Sequence, residues 1–304
     1  MKRKVALVLA SGGSRGLAHI GAIDVLEENG FEITSVAGCS MGALVGGLYA
    51  AGGLDEFKEW METIDRMRVL SLMDFTIGNG GFVKGDKVME ELQSIIPDKK
   101  IEDLDIPFCA VSTDIRHRKE VVFESGSLYD AIRSSISMPS IFTPNRIGDM
   151  LLIDGGVVNP IPLDRVKRTE GDILVAIDLN APYEMKKEEH WEFKRLAPVR
   201  KKLADLMDSI TDKHKKEEVE TAVQNNGYED DEDMGFVSIL NESSALMLQA
   251  NSERSIALYP PDILVRIAKN AYSTMEFYKF DEIVQLGREK TIEALTVAGL
   301  VTKQ

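Results

Sequence analysis

Short apolar runs alternate with helix-like segments through the N-terminal part of the chain, and this alternation constrains the fold more than any other feature. Apolar runs at residues 5–10 and 33–37 are each followed by a segment of helical periodicity, at 17–29 and 41–51. Repeated strand and helix units of this kind form parallel sheets that are covered by helices on both faces. We therefore expect an α/β fold with three α/β/α layers and a mostly parallel central sheet.

The pattern continues with less regular spacing through the rest of the chain. We predict helices at residues 55–72, 129–137, 243–257 and 275–298, and strands at 108–112, 120–123, 151–153, 173–178 and 263–267. A shift to charged residues predicts a helical insertion or cap over residues 185–258, with an acidic loop at 225–233. The predicted domains are a core at 1–184, this insertion, and a helical C-terminal elaboration at 259–304 whose strand and helix complete the core.

Composition and charge narrow the classes of partner. Hydrophobic residues make up 44% of the 304-residue chain and charged residues 28%, which is typical of a globular protein with a sizeable core. The formal net charge of −14 argues against a nucleic-acid partner and disfavours tight docking on an anionic membrane. The two cysteines, Cys39 and Cys109, are too few for a disulfide framework and lack the paired spacing of zinc ligands. We therefore expect reduced thiols, no metal and a cytoplasmic location.

A serine lies at the centre of a G-x-S-x-G pattern formed by Gly38, Ser40 and Gly42. The pattern follows a predicted strand and precedes a predicted helix, which is the context of a nucleophile elbow. At such a turn the serine backbone is strained, and small residues two positions away avoid a collision. The helix N-terminus favours negative charge that develops beside the hydroxyl. Ser40 is therefore the candidate nucleophile, although an ordinary strand-to-helix turn can carry a similar pattern.

A glycine-rich loop at residues 11–16 (SGGSRG) follows the first predicted strand. Because the carboxyl ends of parallel strands meet at one edge of a sheet, we expect this loop beside the Ser40 turn. Consecutive glycines such as Gly12 and Gly13 can direct backbone N–H groups at one point, as an oxyanion hole requires, but glycines also form ordinary tight turns. The absence of a G-x-G-x-x-G register and of a P-loop lysine disfavours nucleotide binding.

The histidines do not offer an obvious base for the serine. His19 lies within the first predicted helix, and His117 lies in a charged turn. His190 and His214 lie in charged segments, which are ordinarily solvated. An α/β-hydrolase triad is disfavoured because its nucleophile usually comes much later in the chain than Ser40 does.

Four segments, in order along the chain, carry a resemblance to a known family. They are residues 11–22 (SGGSRGLAHIGA), 38–42 (GCSMG), 132–144 (IRSSISMPSIFTP) and 154–162 (DGGVVNPIP). They resemble the motifs of the bacterial patatin-like phospholipases. The similarity is clear over residues 4–182 and weaker from 260 to the end.

The resemblance implies a serine and aspartate dyad that works without histidine. Ser40 matches the nucleophile of the family, and Asp154 matches its base. Asp154 opens the D-G-G motif, which Gly155 and Gly156 complete. Partial burial that raises the pKa of Asp154 would make this carboxylate a more effective base.

The resemblance also assigns roles in the glycine-rich loop. Gly12, Gly13 and Ser14 match the oxyanion loop of the family, and Arg15 occupies the basic position that follows it. The family often has three glycines in this loop, and the first is Ser11 here. A positive φ at Ser11 would strain the loop.

The expected function is hydrolysis of a carboxylic ester of a lipid, such as a lysophospholipid or phospholipid, without a cofactor. Two alternatives stay open: acyl transfer by the same dyad, and a regulatory or partner-binding role for the same fold. Membrane contact, at most transient, is predicted through Phe75, Ile77 and Phe82. A homo-oligomer also stays open, because apolar positions of the last predicted helix, such as Ile283, could face either the core or a neighbouring copy.

Overall fold

A computed structural model describes residues 3–72, 85–139, 141–182 and 236–301. The strands among them are β1 (Arg3–Leu9), β2 (Phe31–Cys39), β3 (Phe108–Asp114), β4 (Lys119–Phe123), β5 (Asn145–Ile147), β6 (Met150–Asp154), β7 (Ile173–Ala181) and β8 (Ile263–Ala268). The α-helices are α1 (Ala18–Glu28), α2 (Met41–Ala50), α3 (Leu54–Glu62), α4 (Arg66–Leu72), α5 (Asp86–Ile95), α6 (Leu128–Ser135), α7 (Phe236–Leu258) and α8 (Phe280–Val297). Short 3₁₀ helices lie at Gly13–Leu17, Ile101–Asp103, Gly155–Val157 and Phe277–Lys279.

All eight described strands belong to one sheet, in which β1 occupies a central position. The strand order is β5-β6-β3-β2-β1-β7-β8, and β4 pairs with β3 outside this path. Strands β8, β7, β1, β2 and β3 are parallel, whereas β4, β5 and β6 are added in antiparallel pairings. The predicted α/β fold with a mostly parallel sheet is therefore confirmed.

Alternate residues of β1 face opposite sides of the sheet, as a strand geometry requires. Leu7 and Leu9 pack into the larger core together with residues of α1, α2 and α8. Ala6 and Val8 pack into a second core on the other face, which segment 161–166 and Ile256 of α7 cover. The sheet is thus buried on both faces, which explains why the first strand is a continuous apolar run.

Two predicted helices differ from the observed ones. The predicted helix at 55–72 is two helices, because the side chain of Asp65 accepts the backbone N–H of Arg68 at 2.7 Å and caps the start of α4. The predicted helix at 275–298 begins at Phe280, after a 3₁₀ turn, and buries Ile283 and Leu295 against the core. Helix α5 has no counterpart among the predicted helices.

The chain divides into two compact units, one formed by Met1–Tyr183 with Met247–Gln304 and the other by Glu184–Leu246. Most of the predicted insertion, including the acidic loop, lies outside the described residues, as do Phe75, Ile77 and Phe82. The domain boundaries therefore stay a prediction. Within the described ranges, no helix is both long and apolar enough to cross a bilayer.

Candidate active site

Ser40 lies at a strained turn between β2 and α2. Its φ of 54° is left-handed, which among the described non-glycine residues is shared only with Arg118. Strain of this kind persists where the surrounding structure enforces it, and it is common at active sites. An added Cβ at Gly42 would overlap the carbonyl oxygen of Leu9, and one at Gly38 would overlap that of Gly42. The two glycines are therefore required for the close packing of the turn, as the pattern predicts.

A buried serine of α6 holds the backbone of this turn. The amide of Ser40 donates a hydrogen bond to the hydroxyl of Ser135 at 2.8 Å. The same hydroxyl donates to the carbonyl oxygen of Val111 in β3 at 2.6 Å. Ser135 thus connects the nucleophile turn to the neighbouring strand through two buried hydrogen bonds.

The sheet brings Asp154 to the end of the strand that carries the nucleophile. β2 and β3 are parallel, with Cys39 opposite Val111. β3 and β6 are antiparallel, with Ser112 opposite Asp154. Because Val111 and Ser112 are consecutive, the end of β6 lies next to the turn at which Ser40 follows β2.

Hydrogen bonds to both the backbone N–H and the backbone carbonyl oxygen fix the position of Asp154. Its amide donates to the carbonyl oxygen of Ser137 at 2.9 Å, and its carbonyl oxygen accepts from the hydroxyl of Thr113 at 3.0 Å. Gly155 begins the 3₁₀ turn that follows, and the amide of Gly156 donates to Oδ1 of Asp154 at 2.7 Å. The two glycines of the D-G-G motif therefore form a turn that orients the carboxyl group of Asp154.

The electrostatic environment suits Asp154 to accept a proton near neutral pH. Burial raises the pKa of Asp154 to about 6, whereas contacts with Ser40, the amide of Gly156 and Cys39 act to lower it. The Oδ2 atom has no hydrogen bond of regular geometry within the described residues. Because the Ser40 hydroxyl lowers the pKa of Asp154, it must lie near the carboxyl group, but the two do not form a well-aligned hydrogen bond. Such bonds commonly tighten only when substrate is bound.

Neither of the two described histidines has a hydrogen bond to Ser40. Nε2 of the fully buried His19 lies 2.8 Å from the carbonyl oxygen of Ala10, and burial lowers the pKa of His19 to about 4. Nδ1 of His117 lies 2.5 Å from Oδ2 of Asp114 in the β3–β4 hairpin. In the part of the chain that the structure describes, no group of histidine, cysteine and acidic residues is arranged to hold a metal ion.

In the glycine-rich loop, the residue with a left-handed backbone conformation is a glycine. Gly13 has a φ of +58°, and Ser11 is not among the described non-glycine residues with positive φ, so the strain considered for Ser11 is absent. The amide of Ser14 donates to the carbonyl oxygen of Thr274 at 2.9 Å and is therefore engaged. The amides of Gly12 and Gly13 have no hydrogen-bond partner among the described residues. Of the three amides expected to stabilise an oxyanion, that of Ser14 is therefore engaged, whereas the structured part of the chain offers no partner to the other two.

Side chains on the far side of the loop anchor it to the rest of the fold. The buried guanidinium of Arg15 donates through Nε to the carbonyl oxygen of Leu179 at 3.1 Å and through Nη1 to that of Tyr272 at 2.8 Å. The hydroxyl of Ser14 donates to the carbonyl oxygen of Ser273 at 2.7 Å. Arg15 and Ser14 thus brace the loop against β7 and the segment at 272–274.

An apolar pocket of about 130 Å³ borders on Ser40. Among the described residues, helices α2 to α5, the segment that follows α6 and the segment at 274–277 contribute its lining, and no charged side chain takes part. The lining residues are Gly13, Ser40, Met41, Leu44, Phe57, Trp60, Met61, Ile64, Val69, Leu72, Val88, Leu92, Ile136, Met138, Ile141, Phe142, Thr274, Met275 and Phe277. A cavity with this lining favours an apolar ligand such as an acyl chain.

Three residues that support the site were not among the sequence candidates. Ser135 and Thr113 hold Ser40 and Asp154, and Asn180 donates from Nδ2 to the carbonyl oxygen of Ser11 at 2.7 Å. A signal for Asn180 is present in the sequence, because polar residues at the carboxyl end of a buried parallel strand face the ligand-binding edge of such sheets. The sequence gives no comparable signal for Ser135 or Thr113.

Comparisons with known proteins identify relatives over most of the chain. The family model described as patatin-like phospholipase matches residues 7–167, more than half of the chain. An uncharacterized NTE family protein of Mycobacterium tuberculosis is 31% identical, covering 96% of this chain and 91% of its own. Patatin-like phospholipase domain-containing protein 7 of Rattus norvegicus is 28% identical, covering 93% of this chain but 20% of its own.

Two further proteins are similar over different shares of their lengths. Lysophospholipase NTE1 of Cryptococcus neoformans is 30% identical over 59% of this chain and 11% of its own. The crystal structure of VipD from Legionella pneumophila aligns with a TM-score of 0.47 and 14% identity, covering 98% of this chain and 67% of that chain.

The fold and the matched family model together place the chain in the class of α/β lipid hydrolases. More narrowly, the chain belongs to the patatin-like phospholipase family. The family resemblance predicted from the four motifs is therefore confirmed.

Proposed function

We propose that this protein hydrolyses a carboxylic ester of a lipid, with Ser40 as the nucleophile and Asp154 as its general base. One observation carries the proposal: a buried carboxyl group of raised pKa lies beside a strained serine at the border of an apolar pocket. Both side chains are sheltered, since each residue is 4% exposed. A water-poor site strengthens every electrostatic interaction that the reaction uses.

In the first half of the reaction, Oγ of Ser40 attacks the ester carbonyl carbon and its proton passes to Asp154. The carbonyl oxygen becomes an oxyanion, which the amides of Gly12 and Gly13 and the N-terminus of α2 would stabilise. Each such donor is worth roughly 3 kcal/mol in the transition state. Collapse of the tetrahedral intermediate breaks the bond to the leaving alcohol, which takes the proton from Asp154, and leaves Ser40 acylated.

In the second half, Asp154 takes a proton from a water molecule that attacks the acyl carbon. The resulting intermediate releases the fatty acid, and the proton returns to Oγ of Ser40. An Asp with a pKa of about 6 is a better base for this step than one near its ordinary value of 3.8, because the most effective general base titrates near the working pH.

The pocket supports a substrate with one acyl chain in its apolar interior. Its lining offers an acyl chain many apolar contacts and offers a charged head group no ion pair, so the head group would remain outside. The name of the fungal relative, lysophospholipase, is consistent with a substrate that carries a single acyl chain. We therefore propose a lysophospholipid as the first substrate to test.

Labelling with a fluorophosphonate probe tests the proposed nucleophile and base. We expect the wild type to be modified at Ser40, Ser40→Ala to be unmodified, and Asp154→Asn to react at least about 10²-fold more slowly, because a general base typically contributes that much. The matched control is Asp55→Asn, an exposed carboxylate on α3, which should react like the wild type. Release of fatty acid from lysophosphatidylcholine, measured in parallel, tests the substrate.

Two other outcomes would change the conclusion. A folded wild type that is not labelled contradicts the hydrolase function and favours a regulatory or partner-binding role. Transfer of the acyl group to an added acceptor alcohol in preference to water would identify an acyltransferase that uses the same residues.

A further inference from the structure

Asn180 lies near the end of β7 with its side chain directed at the glycine-rich loop. The residue is 3% exposed, and its Nδ2 donates a 2.7 Å hydrogen bond to the carbonyl oxygen of Ser11. Its Oδ1 faces the other way and accepts from Nη2 of Arg15 at 3.5 Å. Because a guanidinium can only donate, Arg15 sets the orientation of the amide group and keeps Nδ2 on Ser11.

The acceptor of this hydrogen bond belongs to the same peptide unit as a proposed oxyanion donor. The carbonyl of Ser11 and the N–H of Gly12 share one planar amide, with the two groups on opposite sides. A hydrogen bond to the carbonyl oxygen therefore fixes the direction of the Gly12 N–H. It also polarises the amide, which makes that N–H a stronger donor.

The backbone of Asn180 is itself held in place by hydrogen bonds. Its amide donates to Oδ1 of the buried Asp178 at 3.0 Å, and Oδ2 of Asp178 pairs with Nε of Arg266 at 3.4 Å. The preceding carbonyl, that of Leu179, accepts from Arg15. The side chain thus has little freedom to move away from Ser11.

Other contacts hold the loop around this peptide unit but do not replace the bond from Asn180. The ring of His19 contacts the carbonyl oxygen of Ala10, and the amide of Ser11 donates to the carbonyl oxygen of Pro160 at 2.9 Å. Loss of the Asn180 side chain would leave the Ser11 carbonyl buried without its partner. Rotation of the peptide unit would then change the direction of the Gly12 N–H.

We propose that Asn180 is a positioning residue that orients and polarises the Gly12 amide toward the oxyanion formed on attack by Ser40. This inference rests on the proposed function, since it assigns Asn180 a part in the same reaction. Its effect is on the transition state, where the oxyanion exists, and not on the binding of the acyl chain. The rate should therefore depend on Asn180 while the Michaelis constant should not.

Kinetics of Asn180→Ala and Asn180→Asp, with fluorophosphonate labelling of Ser40, test the inference. We expect kcat and the labelling rate to fall roughly ten- to hundredfold with little change in KM, less than the 10²–10³-fold effect of deleting an oxyanion donor outright. The matched control is Asn29→Ala, which removes a side-chain amide that donates to the carbonyl oxygen of Val25 at 2.7 Å at the end of α1. This control should keep the wild-type rate.

Asn180→Asp provides a second readout in a side chain of the same shape. Its ionised form cannot donate to Ser11, whereas its protonated form can. The activity of Asn180→Asp relative to the wild type should therefore rise as the pH is lowered, which a merely structural role would not produce. This variant also serves as the test if Asn180→Ala does not fold.

The outcomes separate this inference from the proposed function. If the wild type is labelled at Ser40 and the Asn180 variants react at the same rate, the role of Asn180 is overturned and the hydrolase function stands. A rise in KM alone, or an equal loss of rate in Asn29→Ala, overturns it as well. If the wild type is not labelled, the proposed function itself has failed.

Discussion

The amide of the candidate nucleophile Ser40 is held by the hydroxyl of Ser135, at 2.8 Å, in a helix more than ninety positions away along the chain. Replacing Ser135 by alanine removes the acceptor of that amide and a donor to the carbonyl oxygen of Val111, which destabilises the fold by about 1–3 kcal/mol. We expect kcat to fall roughly ten- to hundredfold, because small displacements of a reacting group have effects of this size. Steady-state kinetics and denaturant unfolding measure the two effects.

The adjacent serine offers a control for this substitution. The hydroxyl of Ser134 also makes two hydrogen bonds, to the carbonyl oxygen of Asp130 and from Nδ2 of Asn145, but neither involves the Ser40 turn. Ser134→Ala should lose stability and keep kcat. An equal loss of kcat in both variants would contradict a specific role for Ser135.

The raised pKa of Asp154 predicts a rate that depends on pH. Because the proposed base must be ionised, kcat/KM should rise with pH with an apparent pKa near 6. Below that pH it should fall by about tenfold for each pH unit. A profile measured with an uncharged ester between pH 4 and pH 8 would avoid titration of the substrate. A profile that stays level down to pH 4 would show that no group with a pKa near 6 controls the reaction.

The same pKa predicts that the ionised carboxylate of Asp154, the proposed base, destabilises the folded protein. A folded-state pKa above the ordinary value of 3.8 means that the contribution of Asp154 to stability is fully present below pH 3.8 and is lost as the pH rises through about 6. The shift corresponds to about 3 kcal/mol. Asp154→Asn should therefore gain about that much over the wild type at pH 8 relative to pH 4, measured by urea unfolding. The opposite trend with pH would mean that the ionised carboxylate is stabilised in the fold.

His19 should act in the opposite direction over the same range of pH. Burial lowers the pKa of His19 to about 4, so its contribution is present above pH 6.5 and is lost as the pH falls through 4. The wild type should lose about 3 kcal/mol relative to His19→Gln between pH 7 and pH 4. Urea unfolding of both proteins at the two pH values measures this difference, and a constant difference would contradict the burial of a neutral imidazole.

The apolar pocket predicts control of the acyl-chain length. Val88 of α5 lines the pocket, and Val88→Trp should fill part of it. We expect kcat/KM for long-chain esters to fall by roughly tenfold or more while acetyl and butyryl esters are little affected, since each buried methylene contributes about 0.8 kcal/mol. The control Val297→Trp places the same side chain on the exposed face of α8. Equal losses for short and long esters would indicate that the pocket does not hold the chain.

Local patterns were sufficient to predict the strained turn at Ser40 but not the environment of that turn. Ser40 could be predicted because its turn requires small residues at fixed positions on either side. Asp154 could be matched to the base only through the family resemblance, since its approach to Ser40 depends on the antiparallel pairing of β6 with β3. The amide of Ser14 was expected at the oxyanion, but it is engaged by Thr274, which comes from the far end of the chain.

The strands and helices that could be predicted from sequence are those in which burial produces a clear pattern of apolar residues. β1 and β2 are buried over most of their length, with charged residues only at Arg3, Lys4 and Glu32, and α1 and α2 follow them. The break before α4 depends on one capping side chain, Asp65, within a segment that otherwise has a helical pattern. Asn180 and Ser135 are single polar residues whose partners are distant in sequence, so no local period indicates their roles.

The central position of β1 has a consequence for how the chain folds as it is synthesised. β1 pairs on one side with β2, which is made soon after it, and on the other with β7 at Ile173–Ala181. A nascent chain that ends before β7 therefore exposes an apolar strand with an unpaired edge, which is prone to associate with other chains. Pairings between residues so far apart also slow folding. The loop that follows β1 is thus synthesised well before Asn180, which holds the carbonyl oxygen of Ser11, and it is fixed only after β7 has paired with β1.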